Sequence, residues 1–331
     1  MTAVLTLVEH DAGVPEATSL QALTLGRGLA ERLGLPLHAL VVGAGPPIAS
    51  SLGAYGAYGA SVVHVAEHEA LDGFAPGAWA RCVIDLTASL SPAAVVAAGT
   101  DRAQEVMAHA AAELDLPLVA NATDAEPADG DRPWLLTRQR WGGTILEQAS
   151  LEAEIKLLTV ALHTLSAAEA TTPVQATVAT FAPGLTEQDL AVRVRERVEP
   201  GSGRISLGEA KVVVAGGRGV GGPDGFRLLD ELAGLLGGVV GCSRVVTNAG
   251  WRPHADQIGQ TGTRIAPEIY IACGISGATQ HMVGARGAKR ILVINTDRDA
   301  PIMTHANYAV IGDLHQVVPA LIDEVRRATG R

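Results

Sequence analysis

Aromatic residues are scarce in this chain: 4 Trp, 4 Tyr and 3 Phe among 331 residues. With 47% of residues hydrophobic and so few rings, the core must be built from Ala, Val, Leu and Ile. Cysteine is rarer still. Cys82, Cys242 and Cys273 are odd in number and lack Cys-x-x-Cys spacing. That excludes a disulfide framework and a cysteine-based zinc or iron–sulfur site, and fits a reducing compartment. Lysine supplies only 3 of the 25 cations, and the formal net charge is −10. A general nucleic-acid binder would carry a basic face, so that class is set aside. No apolar run reaches the roughly 18–20 residues of a membrane span. The opening stretch Thr2–His10 has no basic leader and reads as a first strand rather than a signal peptide. His-Glu-x-x-His and Gly-x-Ser-x-Gly are both missing, which leaves metalloprotease and α/β-hydrolase chemistry without support. These absences lead to the expectation of a cytoplasmic protein with no membrane insertion, no nucleic-acid partner and no metal.

What is present divides the chain in two. Residues 1–205 carry 12 Lys+Arg against 24 Asp+Glu, whereas 206–331 carry 13 against 11. The length also favours two domains over one. In the first half, continuous apolar strands (Val4–Val8, Leu35–Val42, Ser61–Ala66, Ala93–Ala98, Leu116–Ala120) alternate with helical patterns at Ser19–Leu33, Pro76–Leu90 and Asp101–Leu114. Such alternation predicts a parallel sheet covered on both faces. Between about 134 and 200 the texture changes. Trp134–Arg140, Thr144–Ser150, Ile155–Leu162, Val174–Phe181 and Leu190–Val198 read as strands of an antiparallel extension. Pro200-Gly201-Ser202-Gly203 combines a helix breaker with flexible residues and is the expected linker, giving domains at 1–203 and 204–331. The second half restarts an α/β pattern, so the fold class is α/β with two doubly wound, Rossmann-like domains.

Each strand of the second half ends in small or polar residues: Gly216-Gly217-Arg218, Gly274-Ile275-Ser276-Gly277, Asn295-Thr296-Asp297 and Gly312-Asp313. In an open parallel sheet these ends share one edge, where ligands bind. Any one such glycine is ordinarily a turn; four strand ends of this character weaken that reading. Glycines admit backbone N–H groups close to a pyrophosphate, and helix N-termini add positive dipole. A nucleotide-type ligand with a diphosphate follows, although the spacing is not Gly-x-Gly-x-x-Gly and the usual NAD fingerprint is absent. Arg218 and Arg244 sit among small residues with little to pack against; each is either a solvated charge or a partner for a phosphate or an anionic ring. His281 falls in the first turn of a helix, where its protonation would supply charge near a ligand.

At these residues the chain resembles a known family. Pro267-Glu268-Ile269-Tyr270-Ile271-Ala272-Cys273-Gly274-Ile275-Ser276-Gly277-Ala278-Thr279-Gln280-His281 is similar to the C-terminal signature of the electron-transfer flavoprotein alpha subunit. The likeness continues through Ala288–Asp297, Ala300-Pro301-Ile302, Ala309–Leu314 and Val317-Val318-Pro319. Upstream, Gly217-Arg218-Gly219, Ser243-Arg244, Ala249-Gly250-Trp251 and Gln257-Ile258-Gly259-Gln260-Thr261-Gly262 keep the family's order. It is dense over 211–325 and faint over 1–200, where it rests on the first strand and Tyr58-Gly59-Ala60. One departure is Thr247-Asn248, where the family more often has an acidic residue before Ala-Gly-Trp.

The resemblance implies FAD along the strand ends, its pyrophosphate near Arg218, Ser243 and the Ser276–Gly277 turn, with Ala278, Thr279 and Gln280 of the signature also binding the cofactor. It implies Thr261 beside flavin N5, with Gln260 and Gly259 on the ribityl side and Gln257-Ile258 just before them. His281 would address flavin O2, Arg244 would cover the ring, and Asn295, Asp313 and Leu314 would hold the AMP portion. The implied function is electron carriage rather than catalysis, without a catalytic residue of its own. The implied partners are a beta subunit holding AMP or a second flavin, flavin dehydrogenases such as those of fatty-acid β-oxidation, and a quinone oxidoreductase. The alternatives are a subunit of an NAD-linked bifurcating flavoprotein, an enzyme using NAD(P) or thiamine diphosphate, and a regulatory adenine-nucleotide binder. Residues 1–203 would then be scaffold and docking surface.

Overall fold

A computed structural model describes residues 2–43, 48–128, 132–194, 206–208 and 210–330. The chain divides into two compact units, Met1–Arg197 and Val198–Arg331. The linker expected at 200–203, and with it the 203/204 boundary, lies outside the described residues.

The first unit is built in the order β1 (Val4–Leu7), β2 (His10–Asp11), β3 (Val14–Pro15), α1 (Ala17–Leu33), β4 (Leu37–Gly43), α2 (Leu52–Ala57), β5 (Ala60–Glu67), α3 (Pro76–Leu90), β6 (Ala94–Ala98), α4 (Asp101–Leu114) and β7 (Leu118–Glu126). Four further strands follow: β8 (Trp134–Arg140), β9 (Ile145–Leu151), β10 (Lys156–Val160) and β11 (Thr177–Phe181). β2 and β3 form a short hairpin. The other strands make one sheet in the order β11-β5-β4-β1-β6-β10-β7-β8-β9. β1 is buried at all four positions because both faces are covered. Val4 packs into the cluster beneath α1 and α2, whereas Leu5 and Leu7 pack into the cluster beneath α3 and α4.

The antiparallel extension is smaller than the sequence suggests. Only β8 and β9 run antiparallel, β8 on β7 and β9 on β8. β10 runs parallel between β6 and β7, and β11 runs parallel to β5 at the far edge. The reason lies in the connections. The chain after β10 crosses α1 and α2 before β11: Ala168 N donates to Thr24 Oγ1 at 3.1 Å, and Arg27 Nη1 donates to the Ala168 carbonyl at 2.8 Å. Val174 N then donates to the Gly56 carbonyl at 3.0 Å. A crossover of this length permits a parallel strand; a tight hairpin would not. The strand expected at Leu190–Val198 is also overturned. Residues 190–194 are turn and irregular backbone, with Val192 and Val194 exposed, and 195–198 lie outside the described residues. Among the described residues, no strand pairs with 190–194.

The second unit runs β12 (Val212–Gly216), α5 (Phe226–Leu235), β13 (Val239–Cys242), α6 (Arg244–Asn248), β14 (Ile269–Cys273), α7 (Thr279–Ala285), β15 (Ile291–Asn295), β16 (Tyr308–Ile311) and α8 (Leu314–Thr329). Its sheet is parallel throughout, in the order β13-β12-β14-β15-β16. α5 and α8 pack on one face around Phe226, Leu229, Val318 and Ile322. Ile258, Ile265, Met282 and Ile302 fill the other. All five strands therefore deliver their C-terminal ends to one edge, as the sequence predicts. Among the described residues, no helix is long and apolar enough to cross a membrane.

Candidate functional site

Two hollows lie along that edge, and they share Gly274 and Ser276. The larger, of about 460 Å³, is lined by Arg218, Ser243, Arg244, Gln257–Thr261, Ser276–Ala278, Gln280 and His281, among others. The smaller, of about 220 Å³, is lined by Asn295, Asp313 and Leu314 together with Thr296, Asp297 and Gly312. Of the residues singled out from the sequence, Thr279 alone lines neither; it opens α7 facing solvent.

Backbone proximity creates this space. A Cβ on Gly217 would stand 2.2 Å from the Gly274 carbonyl oxygen. A Cβ on Gly277 would stand 2.4 Å from Ile302, and its φ of +79° lies where side chains are disfavoured. Gly217 N donates to the Cys273 carbonyl at 2.9 Å, and Gly219 N donates to the Gly274 carbonyl at 3.1 Å. The loops after β12 and β14 are thereby locked together, main chain on main chain.

The hollows differ in sign. Arg218 and Arg244 line the larger one, are exposed, and make no ion pair among the described residues; no carboxylate lines it. The smaller one carries Asp297 and Asp313. Asp313 also caps α8, accepting from His315 N at 2.9 Å. Asn295 is committed to the backbone: its Nδ2 donates to the Ile275 carbonyl at 2.9 Å, and its Oδ1 accepts from Asp297 N at 3.1 Å. It shapes the hollow, and both ends of its amide already hold a partner.

His281 corrects an expectation. Burial pushes its pKa down to about 4, against a weaker opposing influence from the Ile258 backbone, so at neutral pH the ring carries no charge. What it offers is a donor. Its Nε2 lies 2.7 Å from the hydroxyl of Tyr270, which is fully buried and has this one partner among the described residues. If Nε2 carried the proton, the Tyr270 hydroxyl would have no acceptor, costing about 1–3 kcal/mol. The other tautomer has Tyr270 donating to Nε2 and the ring proton on Nδ1, a buried atom with no hydrogen bond of good geometry among the described residues, so an acceptor placed at Nδ1 would satisfy both groups. Sequence reasoning missed Tyr270 because eleven residues separate it from His281; only the register of β14 against α7 brings them together.

A second chain of contacts orders the far wall. Gln257, 2% exposed, donates from Nε2 to Thr261 Oγ1 at 3.0 Å and accepts at Oε1 from the Thr247 hydroxyl at 2.6 Å. Asn248 replaces at the cavity wall the acid more usual in the resembling family. Cys242 and Cys273 end β13 and β14; burial pushes both thiols up to about 12, so neither is a ready nucleophile. Among the described residues, no group of three or more His, Cys, Asp or Glu could hold a metal ion.

Comparison with known proteins agrees with this geometry. Residues 206–286 match the electron transfer flavoprotein FAD-binding domain, and residues 4–185 match the electron transfer flavoprotein domain. Protein FixB of Clostridium saccharobutylicum is 36% identical over 321 residues, covering 96% of this chain and 94% of that protein. The electron transfer flavoprotein subunit alpha of Thermoanaerobacterium thermosaccharolyticum is 32% identical, covering 93% of each chain. That of Mycobacterium leprae is 34% identical over the full length of both.

Proposed function

Because the chain belongs to the electron transfer flavoprotein alpha-subunit family, with FAD as its cofactor, we propose that it is the FAD-holding subunit of a two-subunit carrier. It takes electrons from flavin dehydrogenases and passes them to a quinone oxidoreductase or another acceptor. The observation that carries this reading is the pair of joined hollows of opposite polarity at the strand ends. The positive hollow suits a diphosphate and a ring that gains negative charge, and the carboxylate-bearing one suits sugar hydroxyls. The buried, unpartnered Nδ1 of His281 fits an electronegative atom of the cofactor. FAD supplies one- and two-electron chemistry when bound.

The chain's own residues do the rest. Arg218, Ser243 and the Ser276–Gly277 turn hold the diphosphate, and Arg244 lies over the ring. Thr261 presents its hydroxyl to N5. His281 donates from Nδ1 toward O2, holding its proton rather than transferring it, because a ring with a pKa of about 4 stays neutral at pH 7. The smaller hollow takes the AMP portion. Donors aimed where charge develops favour the reduced cofactor. The acidic first unit serves as scaffold and as docking surface for a beta subunit. Three buried free cysteines accord with a cytoplasmic setting.

The test is a spectrum of the protein purified with its partner subunit. Flavin absorbance with one FAD per alpha subunit is expected, and a colourless protein after reconstitution with FAD and partner would overturn the reading. Arg218→Ala should weaken FAD retention about tenfold to a hundredfold, as loss of a charge-assisted contact implies. Full occupancy after dialysis would remove Arg218 from the phosphate role.

A further inference from the structure

Thr261 is exposed at the mouth of the cavity, yet its hydroxyl is not free to turn at will. Its oxygen accepts from Gln257 Nε2, so its proton is left pointing away from Gln257. That orientation holds only while the Gln257 amide keeps its nitrogen toward Thr261. The amide is itself fixed from behind, because Thr247 donates to Oε1. Thr247 also lies 2.9 Å from the Arg244 carbonyl, a second acceptor for its single proton.

Two self-consistent arrangements follow. In the first, Thr247 donates to Oε1, Nε2 donates to Thr261, and Thr261 offers a donor to the cavity. In the second, Thr247 donates to the Arg244 carbonyl and the amide is reversed, so that Nε2 donates to Thr247. Thr261 then donates to Oε1 and offers the cavity an acceptor. No proton leaves its oxygen or nitrogen in either case.

We propose that Thr247 and Gln257 are positioning residues that set whether Thr261 faces the cofactor as donor or as acceptor. The proposal rests on the reading of Thr261 as the neighbour of flavin N5. That nitrogen is an acceptor in oxidised flavin and bears a hydrogen in the fully reduced form, the electrons coming from the donor dehydrogenase and the proton from solvent. With Thr247 in place, Thr261 donates to the oxidised nitrogen, and the reversed amide gives the reduced N–H an acceptor. Without the Thr247 hydroxyl, Oε1 lacks its partner and takes the Thr261 proton, so the oxidised site loses its donor. Thr247 belongs to the Thr247-Asn248 pair at which the sequence departs from the family pattern.

The experiment is an equilibrium titration of the flavin-loaded complex against a dye of known potential, in wild type and in Thr247→Val, Thr247→Ser and Thr261→Val. Thr247→Val should shift the equilibrium toward reduced flavin about threefold to tenfold, the worth of one hydrogen bond lost from the oxidised site. Tenfold is 29.6 mV for this two-electron couple. Thr247→Ser should restore the wild-type value, and Thr247→Val should add nothing in the Thr261→Val background. If Thr247→Val does not fold, Thr247→Ala reads the same quantity. An unshifted Thr261→Val overturns the placement of Thr261 at N5. A shift in Thr261→Val without one in Thr247→Val leaves that placement intact and overturns the positioning role. An equal Thr247→Val shift in both backgrounds overturns it as well.

Discussion

Both units are built on a parallel sheet, which in the first gains two antiparallel strands, and they end their parallel strands in opposite ways. In the first unit, the residues after β1 and β6 satisfy one another. Thr100 donates to the buried Glu9 carboxylate while accepting from Ala103 N at 3.1 Å. Gln104 donates to the Gly99 carbonyl at 2.8 Å, and a Cβ on Gly99 would stand 2.4 Å from the Val160 carbonyl oxygen. In the second unit the corresponding edge holds guanidiniums and a buried ring nitrogen that have no partner among the described residues, and main chain packed on main chain around open space. Doubly wound topology supplies an edge; the side chains placed there decide whether it closes on itself or receives a ligand.

The largest effect expected from this contrast is at its glycines. Gly277→Ala should destabilise the second unit by about 4 kcal/mol, since a strained φ and an overlap with Ile302 add together. Gly34→Ala, also at positive φ but with nothing within 4 Å, should cost about 1 kcal/mol. Denaturant unfolding separates the two, and equal costs would show that the site's close packing relaxes freely.

A middle-sized effect concerns pH. His281 and His64 are each held near a pKa of about 4, His281 by burial and His64 by burial and then by His38, 3.0 Å away. Folding favours the neutral rings, so their stability is complete above the ordinary value near 6.5 and is lost as pH falls toward 4. For His281 this amounts to about 3 kcal/mol. His281→Gln should flatten the acid limb of amide exchange in the second unit only, and His64→Gln in the first only. Flattening in both units from one substitution would mean that they unfold together.

The smallest effect is at the closed edge. Burial raises the Glu9 pKa more than the Thr100 hydrogen bond lowers it, so ionisation opposes folding above the ordinary value of 4.5. Glu9→Gln keeps an acceptor for Thr100 and should stabilise the first unit by about 1 kcal/mol at pH 7, the gain vanishing below about pH 4.5. Thermal unfolding at the two pH values checks it.

Much of the site was legible because strand-end glycines and lone arginines are local signals. Arg218, Ser276 and Asp313 are readable one loop at a time, and the parallel order of the sheet gathers them. The partnership of His281 with Tyr270, and that of Thr247 with Gln257, is not local, since neither residue's own neighbours in sequence suggest it. The same limit explains β10 and β11. An apolar run such as Lys156–Val160 marks a strand covered on both faces, but its direction depends on the connection that enters it, as that of β11 depends on the crossing over α1 and α2.

That crossing has a consequence for synthesis. β11 closes the edge of β5, although more than a hundred residues separate them in sequence. A nascent chain must therefore emerge past Phe181 before the first sheet acquires its last strand, and until then β5 presents a row of unpaired N–H and C=O groups. The chain's first large hazard during production is an open border awaiting a late arrival, and fragments ending before Thr177 should aggregate where those ending after Phe181 do not.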